Sequence, residues 1–312
     1  MTGKFTLSIL AAAALTFGAA AKEIKLLTIG NSFADSAFRY LPQVAESAGD
    51  KIIMERANIG GCPLNKHWDL VEKAEKNPSQ KTYVQYRNTP KEEHFTLKEK
   101  LQARPWDFVT IQQASHLSWK PESYQPYAKN LQEYVKKYAP DAELVMQQTW
   151  AYRFDDNRYR SWKIDQQKMF EELVKAYDKA ASELGIRLIP TGEAVQLARE
   201  TQAVKYVPYD TEAVKSLKYP DKLPSEAGSF AGGMYWRKEK DRKTGETRWI
   251  LKNDPAHLNR RGEYLQACLW YGFFFDKPTS EIKFVPKEVT PEDAAFLRDV
   301  AQKALDARKA RK

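Results

Sequence analysis

The stretch KLLTIGNSFADSAFRYLPQV, residues 25–44, changes its hydrophobic period in the middle. Its apolar run 26–29 has the length and composition of a buried strand and stops at Gly30. Beyond it the apolar side chains follow helical spacing, at Phe38, Leu41, Val44 and Ala45. The junction predicts a strand-to-helix turn in which Ser32 or Asp35 caps the helix. The same position would also hold a Ser32 nucleophile at the positive end of a helix.

Short apolar runs separated by helical patterns recur along the chain. The five runs are IKLLTIG (24–30), KIIMERA (51–57), WDFVTIQQ (106–113), AELVMQQTW (142–150) and IRLIPTG (186–192). Near-continuous apolar strands that alternate with helices are typical of a parallel sheet covered on both faces. We therefore predict an α/β fold whose ligands bind beyond the carboxyl ends of the strands.

Helices can be placed from their apolar spacing and their end signals. One covers about residues 36–48 and stops at Gly49, and a longer one covers about 160–184 and stops at Gly185. A C-terminal helix opens at Thr290, which is followed by a proline and an acid, as in a capped first turn.

Two segments do not follow the alternation of strands and helices. Residues 62–105 are polar and are expected to form loops with irregular helix. Residues 195–253 contain two aromatic arms around Thr244-Gly245, which predicts a hairpin. No repeat or linker divides the chain, so we expect a single domain over residues 22–312 with these two inserts.

The N-terminal residues 1–21 have the features of a secretory signal peptide. Lys4 precedes a short apolar run, and small residues at 19–21 provide a cleavage site. The apolar run is shorter than the roughly 20 residues of a membrane span. We expect cleavage near Ala21 and a periplasmic or extracellular chain without a stable membrane anchor.

The formal charge of +9 limits the class of partner. Basic residues are dispersed rather than gathered with aromatics into a nucleic-acid module, and an exported chain is not expected to meet nucleic acid. A solvated basic surface explains the charge, and an acidic glycan is also compatible with it.

The cysteine and histidine residues give no metal pattern. Cys62 and Cys268 could form a disulfide in an oxidising compartment or remain two buried thiols. The four histidines, at positions 67, 94, 116 and 257, have no ligand spacing. We therefore expect neither a metal nor another cofactor.

A second informative stretch, NDPAHLNRRGEYLQACLWYGFFF, begins at residue 253. Asp254 and His257 are three residues apart, so the carboxylate can hold one imidazole nitrogen while the other faces a nucleophile. The alternative is that Asp254 caps the following helix and His257 packs beside it.

The order of these motifs resembles that of the SGNH/GDSL esterase-lipase superfamily. The matching blocks are IGNSF (29–33), NIGG (58–61), IQQAS (111–115) and DPAHLN (254–259). The resemblance implies a three-layer α/β/α fold with a five-stranded, flavodoxin-like parallel sheet. It also implies acyl transfer in which Ser32 is the nucleophile, His257 the base and Asp254 the acid that orients it.

The chain departs from the family pattern in two blocks. The usual aspartate between glycine and serine is Asn31, and the third block has glutamines where an asparagine is expected. The resemblance implies an oxyanion hole formed by the N–H of Ser32, the N–H of Gly61 and the side chain of Gln112. The alternative donors are Gly60 and Gln113.

Further residues could contact the substrate. His67 could line the pocket, His116 could bind substrate or act as an alternative base, and Trp150 and Tyr152 could stack on a sugar ring. The alternatives are core packing for the aromatic rings and solvation for the loop histidine.

The expected function is that of a secreted serine esterase acting on an O-acyl, most simply O-acetyl, ester of a carbohydrate. Glutamine in the third block, which resembles that of sialate and xylan acetylesterases, the predicted export and the aromatic residues near the cleft favour a glycan substrate. A lipid or other small acyl ester is the alternative substrate. A non-catalytic glycan-binding protein on the same fold is the alternative class.

Overall fold

The computed structural model describes residues 21–86 and 92–311. The strands are β1 (Glu23–Gly30), β2 (Lys51–Asn58), β3 (Tyr83–Tyr86), β4 (Glu92–Phe95), β5 (Phe108–Ile111), β6 (Glu143–Gln147), β7 (Arg187–Ile189), β8 (Ala231–Lys240) and β9 (Thr247–Leu258). The helices are α1 (Ser32–Asp35), α2 (Leu41–Ser47), α3 (Leu64–Lys76), α4 (Leu97–Gln102), α5 (Tyr127–Tyr138), α6 (Arg158–Trp162), α7 (Gln166–Leu184), α8 (Thr191–Thr201), α9 (Thr211–Lys215), α10 (Arg260–Phe275) and α11 (Pro291–Lys309). The predicted signal peptide lies, except for Ala21, outside the described residues.

The central sheet has five parallel strands in the order β2-β1-β5-β6-β7. Each of the five predicted apolar runs forms one of these strands, so the predicted α/β fold is confirmed. The chain passes from β1 to β2 at one edge and then crosses back to β5 on the other side of β1. Such a reversal leaves a crevice at the carboxyl ends of β1 and β5, where sheets of this type bind ligands.

Helices cover both faces of the sheet and make it the middle of three layers. On one face α10 contacts α2, α8 and α11, and on the other α5 contacts α3, α4 and α7. Because α10 is enclosed by neighbours, almost its whole surface is buried, which explains its continuous apolar sequence.

The first predicted helix begins earlier than the spacing indicated and is divided. α1 starts at Ser32, a 3₁₀ turn follows, and α2 starts at Leu41 with proline in its first turn. Asn31, rather than Ser32 or Asp35, caps α1, since its side chain accepts the Phe33 N–H at 3.1 Å.

The other two predicted helices are present, one of them divided into two and the other continuous. Residues 160–184 divide into α6 and α7, because Lys163 is left-handed and Asp165 caps a new helix. α11 begins as predicted, with Thr290 accepting the Asp293 N–H at 3.2 Å.

The two inserts contain regular structure. Residues 62–105 include α3, α4 and the antiparallel pair β3–β4, rather than loops with irregular helix. In the second insert, β8 and β9 form an antiparallel hairpin. Its turn is closed by the Asp241 N–H, which donates to the Glu246 carbonyl at 2.8 Å.

Both cysteines are buried free thiols, so the disulfide alternative is not realised. Burial raises the pKa of Cys62 and of Cys268 to about 12, and both are protonated at neutral pH. Within the described ranges, no helix combines the length and the hydropathy that a membrane crossing requires.

Candidate active site

Ser32 lies directly beyond the carboxyl end of β1, where the strand order reverses. It is the first residue of α1, so its N–H has no acceptor within the helix and is available to a ligand. Asn31 fixes the turn before it, because its side chain accepts the Phe33 N–H and donates to the Cys62 carbonyl at 3.2 Å. The single turn of α1 replaces the longer helix that the sequence placed behind Ser32.

A continuous hydrogen-bonded chain joins Ser32 to His257 and Asp254. Ser32 Oγ lies 2.8 Å from His257 Nε2, and His257 Nδ1 lies 2.9 Å from Asp254 Oδ2. Burial raises the pKa of Asp254, but hydrogen bonds from the His257 side chain and from backbone N–H groups outweigh it and lower that pKa to about 2. The ionised carboxylate accepts the Nδ1 proton, which leaves Nε2 free to accept the serine proton.

Asp254 and His257 lie at the end of β9, where the hairpin returns to the body of the protein. Neither caps α10, since Asn259 does so by accepting the Gly262 N–H at 3.1 Å. The two side chains are 32% and 46% exposed, so the imidazole faces open solvent on one side. Phe33 contacts it on the other side, with ring centroids 5.1 Å apart.

Trp150 and Tyr152 are buried and do not present a face to a sugar, so the structure does not support the predicted stacking role. Trp150 stacks on Phe33 at 4.3 Å and donates its indole N–H to the Ala256 carbonyl at 2.8 Å. The phenol of Tyr152 is 2.7 Å from Ser115 Oγ. Trp150 thus supports the segment 254–257 through the Ala256 carbonyl, and Tyr152 is held by Ser115.

Arg153 is a supporting residue that the sequence reasoning missed. Its N–H donates to the Pro255 carbonyl at 2.9 Å, and its buried guanidinium binds Asp155 and Glu226. It also donates to Asn253 at 3.3 Å, so it holds the end of β9 from both sides of Asp254. The sequence signal that could have indicated this role is the position of Arg153 directly after Tyr152 and shortly before Asp155 and Asp156.

His67 is fully buried and does not line a pocket, contrary to the prediction. Its Nε2 donates to the Gly30 carbonyl at 3.0 Å, and its Nδ1 accepts from the Tyr83 hydroxyl at 2.8 Å. Burial lowers the pKa of His67 to about 4, so the ring is neutral at pH 7. It fixes the end of β1 just before Ser32.

The glutamines of the third block have different contacts from those expected. Gln112 is buried, packs against Gly30 and donates from Nε2 to Asn31 Oδ1 at 2.6 Å. Gln113 is also buried, and it binds the Leu64 N–H and the Ser123 carbonyl. Neither amide is directed into the cleft, because the longer side chain of Gln112 reaches back over the glycine instead.

The turn after β2 brings two exposed glycines to the same end of the sheet. Its backbone hydrogen bonds use the Ile59 and Cys62 N–H groups, so those of Gly60 and Gly61 are left for a ligand. Gly61 has a φ of 64°, a left-handed conformation that favours glycine.

His116 lies in the exposed loop after β5. Burial lowers its pKa, and the nearby Lys120 and Arg158 lower it further. Arg158 lies over the ring of Tyr152, 4.1 Å from its centroid. A substrate-binding role for His116 stays a prediction. Within the described ranges, no group of three or more His, Cys, Asp or Glu side chains could hold a metal ion.

The fold and the site define a three-layer α/β protein with a hydroxyl–imidazole–carboxylate chain at the reversal point of its sheet. The sequence matches the family described as "Domain of unknown function (DUF4886)" over residues 25–211, more than half of the chain. The chain belongs to this family. The matched range ends before Asp254 and His257, and no curated protein matches the chain.

Solved structures that match this chain cover most of its length. A DUF4886 family protein from Bacteroides uniformis is 27% identical, with 91% of this chain and 95% of that chain covered and a TM-score of 0.67. A protein from Slackia heliotrinireducens, provisionally described as an SGNH hydrolase, is 17% identical, with 78% and 95% covered and a TM-score of 0.44. A protein from Parabacteroides merdae, provisionally described as a GDSL-like lipase, is 16% identical, with 83% and 98% covered and a TM-score of 0.44.

Proposed function

We propose that this protein is a serine esterase of the SGNH type that hydrolyses an O-acyl ester of a carbohydrate. The observation that carries the proposal is the chain from Ser32 Oγ through His257 to Asp254, at 2.8 and 2.9 Å. A hydroxyl, an imidazole and an ionised carboxylate in this order are what nucleophilic acyl transfer requires.

The proposed reaction has two acyl transfers. His257 Nε2 takes the proton of Ser32 Oγ as that oxygen attacks the ester carbonyl, and Asp254 stabilises the resulting imidazolium. The tetrahedral intermediate collapses when His257 returns the proton to the leaving alkoxide, which departs as the alcohol. Water then attacks the acyl-serine with His257 again as base, and the carboxylic acid leaves.

The oxyanion would be bound by backbone groups. The N–H of Ser32 has no helical acceptor, and the exposed turn after β2 offers the N–H of Gly61, with Gly60 as the alternative. Gln112 contributes as a positioning residue, because its amide holds the side chain of Asn31 next to Ser32.

The open setting of the site favours a short acyl group on a polar alcohol. The His257 side chain is 46% exposed, so a long acyl chain lying beside it would keep much of its apolar surface in water. An acetyl group has little such surface, and a sugar alcohol tolerates the solvent.

The test compares p-nitrophenyl acetate hydrolysis by the wild type, Ser32→Ala and Ser36→Ala. The first variant should lose activity by a factor on the order of 10⁴ or more. The second is a matched control, because Ser36 lies on the 3₁₀ turn after α1, donates to Gln266 of α10 and does not touch His257. Equal rates in the wild type and Ser32→Ala would contradict the proposal. A p-nitrophenyl octanoate rate well above the acetate rate would contradict the short acyl group.

We further propose that the chain is exported and processed after Ala21. β1 begins at Glu23, and the Lys22 N–H donates to Asp50 Oδ1 at 2.8 Å, so the residue that cleavage would expose is bound to the body of the protein. N-terminal sequencing of the protein secreted by a bacterial host tests this. A terminus at Met1 would refute it.

A further inference from the structure

The hairpin formed by β8 and β9 carries exposed aromatic rings and unpaired cations next to the candidate active site. We propose that this hairpin, over residues 235–252, binds an acidic polysaccharide chain and leads it toward Ser32. We call this surface the hairpin platform. The binding step is independent of the proposed esterase activity, and only delivery of the ester to Ser32 rests on it.

The aromatic part of the hairpin platform is unusually open. Tyr235 and Trp249 are 42% and 40% exposed, and Tyr219, from the preceding loop, is 47% exposed. Tyr219 and Trp249 stack with centroids 4.1 Å apart and planes 7° apart, which holds both rings rigid. Tyr235 and Trp249 lie on opposite faces of the hairpin, since side chains alternate along a strand and Tyr235 is paired with Lys252. Each face therefore presents a flat exposed ring, and flat rings fit the apolar faces of sugars.

The charge of the hairpin is strongly positive. Residues 235–252 contain seven Arg and Lys against three Asp and Glu, a net charge of +4 in a chain whose total is +9. Arg237 and Lys252 pair with Glu239. The other five cations form no salt bridge with any described residue, namely Lys238, Lys240, Arg242, Lys243 and Arg248. Unpaired cations of this density attract polyanions, carboxylated chains among them.

The hairpin platform is continuous with the catalytic groups. Side chains alternate along a strand, so Arg248, Ile250 and Lys252 share one face of β9 with Asp254. On the same face of β8, Tyr235 is paired with Lys252. At about 3.3 Å per residue, the distance from Asp254 to Arg248 is roughly 20 Å, enough for several sugar rings.

The shape of the hairpin favours a polymer over a membrane. Its turn, residues 241–246, is Asp-Arg-Lys-Thr-Gly-Glu and contains no apolar side chain that could enter a bilayer. On the face that carries Asp254, a chain running parallel to the strands would meet Arg248, Tyr235 and Lys252. The Tyr219–Trp249 stack lies on the opposite face.

The binding test uses the full mature chain with Ser32→Ala, so that no probe is consumed. Polygalacturonate should bind at low ionic strength at least tenfold more tightly than dextran of similar length. Lys240→Glu with Lys243→Glu should weaken polygalacturonate binding by about tenfold, since two exposed charge contacts become repulsive. The matched control, Lys129→Glu with Lys287→Glu, makes the same change in net charge at exposed positions away from the hairpin and should stay within twofold.

The aromatic contribution is tested at Tyr235. Tyr235→Ala should weaken binding by about fivefold, and Tyr235→Phe, which keeps the ring, should restore it. If Lys129→Glu with Lys287→Glu weakened polygalacturonate binding as much as the hairpin pair does, that result would overturn the proposal. So would equal binding of dextran, or binding to phosphatidylglycerol vesicles without binding to polygalacturonate.

The same variants separate this proposal from the esterase proposal. In the chain that retains Ser32, Lys240→Glu with Lys243→Glu should leave p-nitrophenyl acetate hydrolysis unchanged, because these two lysines do not touch the triad. Polygalacturonate binding by a chain that hydrolyses no ester would uphold the hairpin platform and refute the esterase. Ester hydrolysis without polymer binding would uphold the esterase and refute the hairpin platform.

Discussion

Gly30→Ala is expected to damage the site through a single steric conflict. A Cβ at Gly30 would lie 2.9 Å from both Cγ and Cδ of Gln112, where ordinary contacts begin near 3.4 Å. Gln112 is buried between well-packed neighbours, so it must move and release Asn31 Oδ1, to which it donates at 2.6 Å. Asn31 Oδ1 then accepts a hydrogen bond from the Phe33 N–H alone.

The free-energy cost follows from these contacts. Overpacking in a buried site costs about 1–3 kcal/mol, and loss of one hydrogen bond adds about 1 kcal/mol. Loss of backbone freedom in the unfolded Ala variant returns about 0.4–1 kcal/mol. We therefore expect Gly30→Ala to lower the free energy of unfolding by about 1–4 kcal/mol and to lower kcat, because Asn31 positions Ser32.

Urea unfolding and p-nitrophenyl acetate kinetics measure the two effects. Gln112→Ala removes the clashing atoms, so in the double variant the cost of Gly30→Ala should shrink by about 1–3 kcal/mol. Gly60→Ala is the matched control for stability, since a Cβ there meets no atom within 4 Å. The reasoning is refuted if Gly30→Ala matches the wild type in both assays, or if the effects of Gly30→Ala and Gln112→Ala simply add.

Three further predictions concern the groups around the site and the fold. Asp254→Asn should lower kcat for p-nitrophenyl acetate at pH 7 by a factor on the order of 10⁴, because the neutral amide neither fixes the imidazole tautomer nor stabilises the imidazolium; the pKa of Asp254 is lowered to about 2, so the wild-type carboxylate is ionised in this assay, and a wild-type kcat in the variant would contradict its assigned role. Trp150→Phe removes the hydrogen bond to the Ala256 carbonyl but keeps the stacked ring, so kcat should fall about tenfold with KM unchanged, at a cost of about 1 kcal/mol in urea unfolding; a wild-type kcat would show that the indole N–H does not position the base. Asp50→Asn leaves the largely buried Lys277 ammonium without its carboxylate and should cost about 3–5 kcal/mol at pH 7. The folded-state pKa of Asp50 is lowered, so its stabilisation is present above the unfolded pKa near 3.9 and declines as the pH falls below it; the difference between wild type and variant should therefore shrink at pH 3, and a constant difference would contradict this assignment.

The sheet could be predicted from the sequence because its signals are local. Each central strand is an apolar run bounded by turn residues, and parallel strands buried on both faces need no cross-strand pattern to be recognised. The positions of Ser32, Asp254 and His257 were also predictable, since a strand end and a DxxH spacing bring the right groups to one edge. The early start of the first helix at Ser32 was missed because the Asn31 cap depends on the φ and ψ angles of the turn.

The supporting contacts were not predictable for a different physical reason. Trp150 and Gln112 are polar-tipped residues just beyond strand ends and His67 lies near the start of α3, and from sequence alone each could face either the cleft or the core. Their direction is decided by carbonyl and amide groups distant in sequence, such as the Ala256 carbonyl, 106 residues from Trp150. A buried N–H must find an acceptor, so the placement of β9 fixes the indole, and the indole in return fixes the segment that carries His257.

The position of the acid and the base at the foot of a hairpin has a mechanical consequence. β9 continues without interruption from the exposed Trp249 to Asp254 and His257, so the hairpin that would bind a polymer contains the strand that holds the base. Arg153 and Trp150 hold the foot through the Pro255 and Ala256 carbonyls. With the foot held in this way, changes at the hairpin turn should alter polymer binding without moving the base, whereas changes at Trp150 should alter kcat without changing polymer binding.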